Sequence, residues 1–201
     1  MREKPGSVRL VFLGSAGVGK SALIHRVLHN RFEHTYTRTV EQLHVLDCDG
    51  GTLRVEILDT SGSFSFPAMR ELYIRRGDAF ALVYAVDDPG SLDEVRRLRE
   101  DILRLRSDSA PVAVVGNKAE LTVNGGRALH AADVARTVED EWAASFIEAS
   151  ARTGDNAEEV LRVLLQQVDL PRPVRRRRDT VPRAASKRRP PLKKNNSCTM
   201  S

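Results

Sequence analysis

Eight consecutive residues, Gly14-Ser15-Ala16-Gly17-Val18-Gly19-Lys20-Ser21, carry the most specific chemistry in the chain. They fit the pattern G-x-x-x-x-G-K-[ST] of a phosphate-binding loop. Glycines let the backbone bend so that successive N–H groups point inward at phosphate oxygens. The helix that follows adds positive potential at its N-terminus. Lys20 would reach the β- and γ-phosphates, and the Ser21 hydroxyl would take one Mg²⁺ position. Two rivals exist. One is a glycine-rich turn without a ligand. The other is dinucleotide binding, because Gly17-Val18-Gly19-Lys20-Ser21-Ala22 also fits G-x-G-x-x-A. The Lys-Ser pair and the strand–loop–helix context favour the phosphate loop, which by itself does not separate ATP from GTP.

The elements that must position this loop alternate along the chain. Val8 to Leu13 reads as a buried strand, and Ser21 to Asn30 as a helix with the stripe Leu23, Ile24, Val27 and Leu28. Strands at Leu43 to Leu46 and Leu53 to Leu58 flank Asp47-Cys48-Asp49-Gly50-Gly51. That turn predicts an antiparallel hairpin with Cys48 in its loop. Ala79 to Val86 is a further buried strand. Ser91 and Glu94 form a capping box before Val95, Leu98, Ile102 and Leu105 at helical spacing. A strand at Val112 to Val115, a helix from Ala131 to Trp142 and a strand at Phe146 to Ala149 follow. A last helix, capped by Asp155, turns Val160, Leu164 and Val168 inward. The pattern predicts an α/β fold: a six-stranded mixed sheet with helices on both faces.

Composition changes at Pro171. Residues 1–170 read as one domain and 171–201 as a basic tail, expected to be disordered for want of apolar residues. From Arg172 to Lys194 there are eleven Lys or Arg and one acid, which leaves 21 basic against 26 acidic residues elsewhere. The net charge of +5 therefore belongs to the tail, and is no argument that the domain binds nucleic acid. The tail also lacks aromatic residues for base stacking. No apolar run reaches the roughly 18 residues of a membrane span. The polar start Met1-Arg2-Glu3-Lys4-Pro5 is not the pattern of a secretory signal. Cys48 and Cys198 are too far apart and too few for a disulfide framework or a cysteine zinc site. His25 and His29 lie off the apolar stripe without a third ligand and read as a solvated helix face. Trp142 reads as core.

The order of phosphate loop, lone threonine (Thr39), Asp59-Thr60-Ser61-Gly62, Asn117-Lys118-Ala119-Glu120 and Ser150-Ala151 resembles the Ras superfamily of small GTPases. The resemblance covers Val8 to Val168 and resumes at the last four residues. Ile57 to Ser63, Phe66 to Arg70 and Asp78 to Asp88 look most like the Ras-dva branch, with Di-Ras and Rhes-type proteins nearby. It implies a phosphate-loop small G domain that binds GTP and GDP with Mg²⁺, hydrolyses GTP to GDP and phosphate, and signals through effector proteins.

Residue by residue, the resemblance implies nucleotide contacts from Gly14 to Ala22 and Mg²⁺ contacts from Ser21, Thr39 and Asp59. Thr39 and Gly62 would offer N–H groups to the γ-phosphate, and Tyr36 would cover the phosphates. Phe32 would lie edge-on to the guanine; the alternative is a core aromatic closing the first helix. Asn117 and Glu120 would read the base, with the Lys118 stem along its plane. Glu120 stands where the family has Asp, one methylene longer, so the paired hydrogen bonds to guanine N1–H and the 2-amino group must be re-established by a shift, with weakened affinity. Ser150-Ala151-Arg152 matches Ser-Ala-Lys, with the Ala151 N–H meeting guanine O6. The effector segment would be Thr37, Arg38, Thr39, Val40, Glu41 and Gln42, joined by Phe64 to Tyr73. Arg38 and Gln42 depart from the Ras pattern, so its effectors are not assumed.

The catalytic set implied is Lys20, Gly62, Ser63 and Ala16. Ser63 replaces the glutamine that orients the attacking water in Ras, and Ala16 replaces a glycine of the loop. Both changes predict slow hydrolysis and poor response to Ras-type activating proteins. The rival is a nearly GTP-locked interaction module, which single-turnover phosphate release would distinguish. Cys198-Thr199-Met200-Ser201 fits C-a-a-X, and its terminal serine favours farnesyl. With the basic run upstream, it predicts action of a prenyltransferase and binding to the anionic inner leaflet of the plasma membrane, with some endomembrane or cytosolic pool. An exchange factor is a further expected partner; nucleic acid is not.

Overall fold

Along β4 (Ala79–Ala85) every residue is buried, and the side chains sort by alternation into two cores. Ala79, Ala81, Val83 and Ala85 join one core; Phe80, Leu82 and Tyr84 join the other. A strand buried on both faces demands cover on both. In the computed structural model, which describes residues 6–32, 39–48, 53–62, 67–106, 110–122 and 126–168, β4 lies inside a six-stranded sheet. The strands are β1 (Gly6–Leu13), β2 (Glu41–Cys48), β3 (Leu53–Thr60), β4, β5 (Val112–Asn117) and β6 (Ser145–Glu148), in the order β2-β3-β1-β4-β5-β6. All neighbours are parallel except β2, the edge strand, which pairs antiparallel with β3 from Glu41↔Thr60 to Cys48↔Leu53.

Helices α1 (Lys20–His29) and α5 (Ala157–Gln167) cover one face through Leu23, Ile24, Val160, Leu161 and Leu164. Helices α2 (Pro67–Arg76), α3 (Pro89–Leu105) and α4 (Ala131–Arg136) contribute Ile74, Leu92, Val95, Leu98, Ile102 and Val134 to the other core. The mixed sheet with helices on both faces is the predicted architecture. The chain divides into two units, Met1–Pro171 and Arg172–Ser201, and all the strands and helices named above belong to the first. The expectations for Tyr36, Thr37, Arg38, Ser63, Phe64, the Gly50-Gly51 turn and the tail with Cys198 lie outside the described residues.

Several local expectations need correction. Helix α3 starts before Ser91, with Asp88 at the N-cap and Pro89 in the first turn, where its missing N–H costs nothing. The buried Ser91 hydroxyl instead donates to Asp88 O at 2.6 Å and accepts from Ala85 N at 3.0 Å, joining strand end to helix start. Asp155 does not cap α5. Asn156 takes that place in a left-handed conformation (φ 53°), and Asp155 accepts from the Thr153 hydroxyl. The expected helix from Ala131 to Trp142 changes at Thr137 into a wider π-helical turn, Thr137–Glu141. Trp142 follows it, partly buried, with the Arg99 guanidinium 5.0 Å from its ring centroid. Cys48 is not in the turn but ends β2, half-buried against the first core as a small apolar side chain. Helix α2 had no sequence signal, because Ile74 is its one buried residue and no apolar stripe marks it.

Candidate functional site

Five of the six strands run parallel, so the segments after β1, β3, β4, β5 and β6 emerge at one edge of the sheet. The parallel strands β3 and β4, which follow later in the chain, lie on opposite sides of β1. In open α/β sheets a ligand sits outside the carboxyl ends of the strands at such a point. Gly14 to Gly19, Ser61-Gly62, Asp87, Lys118 to Glu120 and Ala149 to Arg152 meet there.

Gly19 enters α1 with φ 95°, and a Cβ on it would stand 2.2 Å from Asn117 Nδ2. Only glycine satisfies both conditions. The buried Asn117 carboxamide uses the closeness: Nδ2 donates to Val18 O at 2.7 Å, and Oδ1 accepts from Ala151 N at 3.1 Å. One side chain thus fastens the loop after β1 to the loop after β6. The Ala151 N–H, expected to face a base oxygen, would have to share its proton with Asn117. Lys20 Nζ donates to Gly14 O and Ser15 O at 2.9 and 3.0 Å, folding back over the loop. Burial pulls its pKa down to about 8, against the opposing pull of Asp59.

Ser21 and Thr39, eighteen residues apart, bring their hydroxyl oxygens to 2.6 Å. Close by, Asp59 is buried, and neither carboxylate oxygen has a hydrogen-bond partner. Burial raises its pKa; Ser21, Lys20, His44 and His25 oppose the rise. A buried carboxylate without partners is costly unless a cation answers it. One carboxylate and two hydroxyls are hard oxygen donors of the kind Mg²⁺ takes. The residues therefore fit that ion. Among the described residues no group of three His, Cys, Asp or Glu side chains is arranged to hold a metal. His44 on β2 does meet His25 edge-on at 5.8 Å between ring centroids, a neighbour that the sequence did not reveal.

Around the expected base position, Lys118 adopts φ 67° and sets Nζ 3.2 Å from both carboxylate oxygens of Asp87. Glu120 lies in a short 3₁₀ turn, Ala119–Thr122, and Ser150 is buried with its hydroxyl accepting from Thr153 N. Arg152 Nε stands 3.7 Å from Glu120 Oε1, and its guanidinium is 5.8 Å from the Phe32 ring centroid. Phe32 itself packs against the first core, so the core role and a ligand-facing edge are compatible. Sequence reasoning missed Arg26. From α1 it donates to Ala151 O at 2.9 Å, to Arg152 O at 2.6 Å, and to Asn30 O and Oδ1 at 3.2 Å. No local pattern could have found a contact across 125 residues.

Val40, in the expected effector segment, is 84% exposed, and just beyond the segment Leu43 also faces solvent along the sheet edge. Tyr73 on α2 donates its hydroxyl to Glu41 Oε2 at 2.5 Å, linking the two expected switch regions. Burial, reinforced by Glu41, pushes the Tyr73 pKa up to about 12.

A mixed, mainly parallel sheet whose first strand opens into this lysine-bearing glycine loop defines a phosphate-loop nucleotide-binding protein. The chain belongs to the Ras family, whose sequence model matches residues 9–170. Mouse GTP-binding protein Di-Ras1 is 37% identical over 169 residues, 82% of this chain and 83% of that one. Mouse GTP-binding protein Di-Ras2 is 36% identical over 170 residues, with the same coverage. Human GTP-binding protein Rhes is 37% identical over 179 residues, covering 82% of this chain and 66% of Rhes. As a Ras-family small GTPase, the protein binds GTP, hydrolyses it, and belongs to the GTP-dependent signalling switches.

Proposed function

We propose that the chain is a Mg²⁺-dependent, membrane-anchored GTP/GDP switch that turns over slowly. The observation that carries the reading is the unpartnered, buried Asp59 carboxylate beside the Ser21–Thr39 hydroxyl pair, with Lys20 over the same loop. Lys20 would leave its carbonyl partners for the β- and γ-phosphate oxygens, a stronger charge-assisted contact. Backbone N–H groups of the loop would cradle the phosphates, and Asn117 would keep that loop and the Ala151 loop in one frame. Ser21, Thr39 and Asp59 would hold Mg²⁺, which when bound neutralises phosphate charge.

Glu120 would accept from guanine N1–H and the 2-amino group, which adenine cannot offer together. Thr39 and Gly62 would sense the γ-phosphate, and its loss would release both switch segments. The effector surface would run from Thr37 to Gln42 and from Phe64 to Tyr73. Serine at position 63 is too short to hold both the attacking water and a carbonyl partner, so turnover is slow. The tail would be prenylated at Cys198, and the basic run would add attraction to an anionic leaflet of at most about 1 kcal/mol per residue.

Two experiments test the reading. Chelating Mg²⁺ with EDTA should accelerate GDP release from the wild type and have little effect on Asp59→Asn; an unchanged wild-type rate contradicts it. Cys198→Ser should move the protein from membranes to the soluble fraction of cells. Full retention on membranes excludes the prenyl anchor as the main determinant.

A further inference from the structure

Glu120 and Arg152 are two departures from the family pattern, and the structure brings them together. The Glu120 carboxylate is mostly buried, its side chain 17% exposed, while Arg152 is 57% exposed above it. Only one carboxylate oxygen faces the guanidinium: Oε1 at 3.7 Å from Nε. The other, Oε2, is buried and accepts no hydrogen bond. The guanidinium is itself held. Its plane lies within cation–π reach of Phe32, and its own backbone carbonyl is tied to Arg26.

We infer that Arg152 is a specificity-determining residue, whose guanidinium fixes the reach of the longer Glu120 carboxylate toward the guanine edge. The inference rests on the proposal that Glu120 reads guanine. A glutamate has one more rotatable bond than aspartate, so its carboxylate must be steered from outside to present both oxygens to a base. Arg152 can do this because its charge is delocalised over a planar fork held against Phe32; the ammonium of a lysine is a point charge without that plane. The carboxylate has lone pairs enough for Arg152 and two guanine donors at once. The ion pair, not a displacement of the backbone, restores the reach that the extra methylene disturbs.

The test measures dissociation constants of the full chain for GDP, IDP and ADP. IDP lacks the 2-amino group, so the ratio of GDP affinity to IDP affinity reads whether the carboxylate engages both donors. Arg152→Ala should lower that ratio about tenfold, while IDP and ADP affinities change by less than about twofold. Arg152→Lys should give an intermediate ratio. In a Glu120→Asp background the carboxylate is drawn away from position 152, so adding Arg152→Ala should leave the ratio where Glu120→Asp sets it. Equal loss of GDP and IDP affinity in Arg152→Ala, or the same fall of the ratio in the Glu120→Asp background, overturns the inference. A wild type that does not prefer GDP to ADP overturns the base-reading role of Glu120 instead, and the inference with it.

Discussion

Gly62 rests directly on the phosphate loop at Ala16: a Cβ on Gly62 would stand 2.2 Å from Ala16 N and 2.5 Å from Ala16 Cα. Both are backbone atoms, which cannot turn aside as a side-chain tip would. Gly62→Ala must therefore separate the segment after β3 from the loop after β1. If Gly62 senses the γ-phosphate, the separation penalises GTP more than GDP. The ratio of the two affinities should fall about tenfold, or about 1.4 kcal/mol. Titration with GDP and a non-hydrolysable GTP analogue checks this; an unchanged ratio would remove Gly62 from the sensing role.

Arg26 holds the Ala151–Arg152 backbone from α1 through two carbonyls. Hydrogen bonds from a charged donor are worth about 1.5–3 kcal/mol each where they are shielded, and less where solvent reaches them. Arg26→Ala should therefore speed GDP dissociation about tenfold with a small change in melting temperature. Stopped-flow release of a fluorescent GDP measures it, and a wild-type rate would show that Asn117 alone fixes the loop.

His44 on β2 is half-buried with its ring against His25 of α1, and its Nε2 is buried without a hydrogen-bond partner. Burial lowers its pKa, Asp59 opposes, and His25 and His29 lower it further. The unfolded chain thus takes up a proton near the ordinary imidazole value of about 6.5 while the folded protein resists. Stability should be full above that value and fall as pH drops from it through the lowered one. His44→Leu should flatten the decline of melting temperature between pH 7 and 5.5. An identical slope in wild type and variant would place the acid sensitivity elsewhere.

What the sequence makes legible is what lies close together in it. The phosphate loop is read from eight residues because its ligands are its own successive N–H groups and the adjoining Lys20 and Ser21. The inner strands are equally clear, since β4 is a continuous apolar run and Leu10 to Leu13 and Val112 to Val115 beside it are apolar throughout. Roles created by folding are not legible in this way. Arg26 looks like any solvated helix residue until α1 lies beside the Ala151 loop. His25 and His29 have no third neighbour until β2 delivers His44. Helix α2 is invisible for a different reason: a helix with one buried residue has no periodicity to detect. The capping assignments at Ser91 and Asp155 failed because both side chains found partners other than the helix N–H groups they were expected to cap.

Ala16 and Ser63 depart from the Ras pattern at positions that serve hydrolysis, and single-turnover release of phosphate from GTP-loaded protein tests the proposed slow turnover most directly. The wild type should release phosphate more slowly than the roughly 3 × 10⁻⁴ s⁻¹ of intrinsic Ras turnover. Ala16→Gly combined with Ser63→Gln should raise the rate and restore response to a Ras-type activating protein. The two changes act on one step, so their effects need not add. A wild type that already turns over as fast as Ras, or a double variant no faster than wild type, would contradict the proposal.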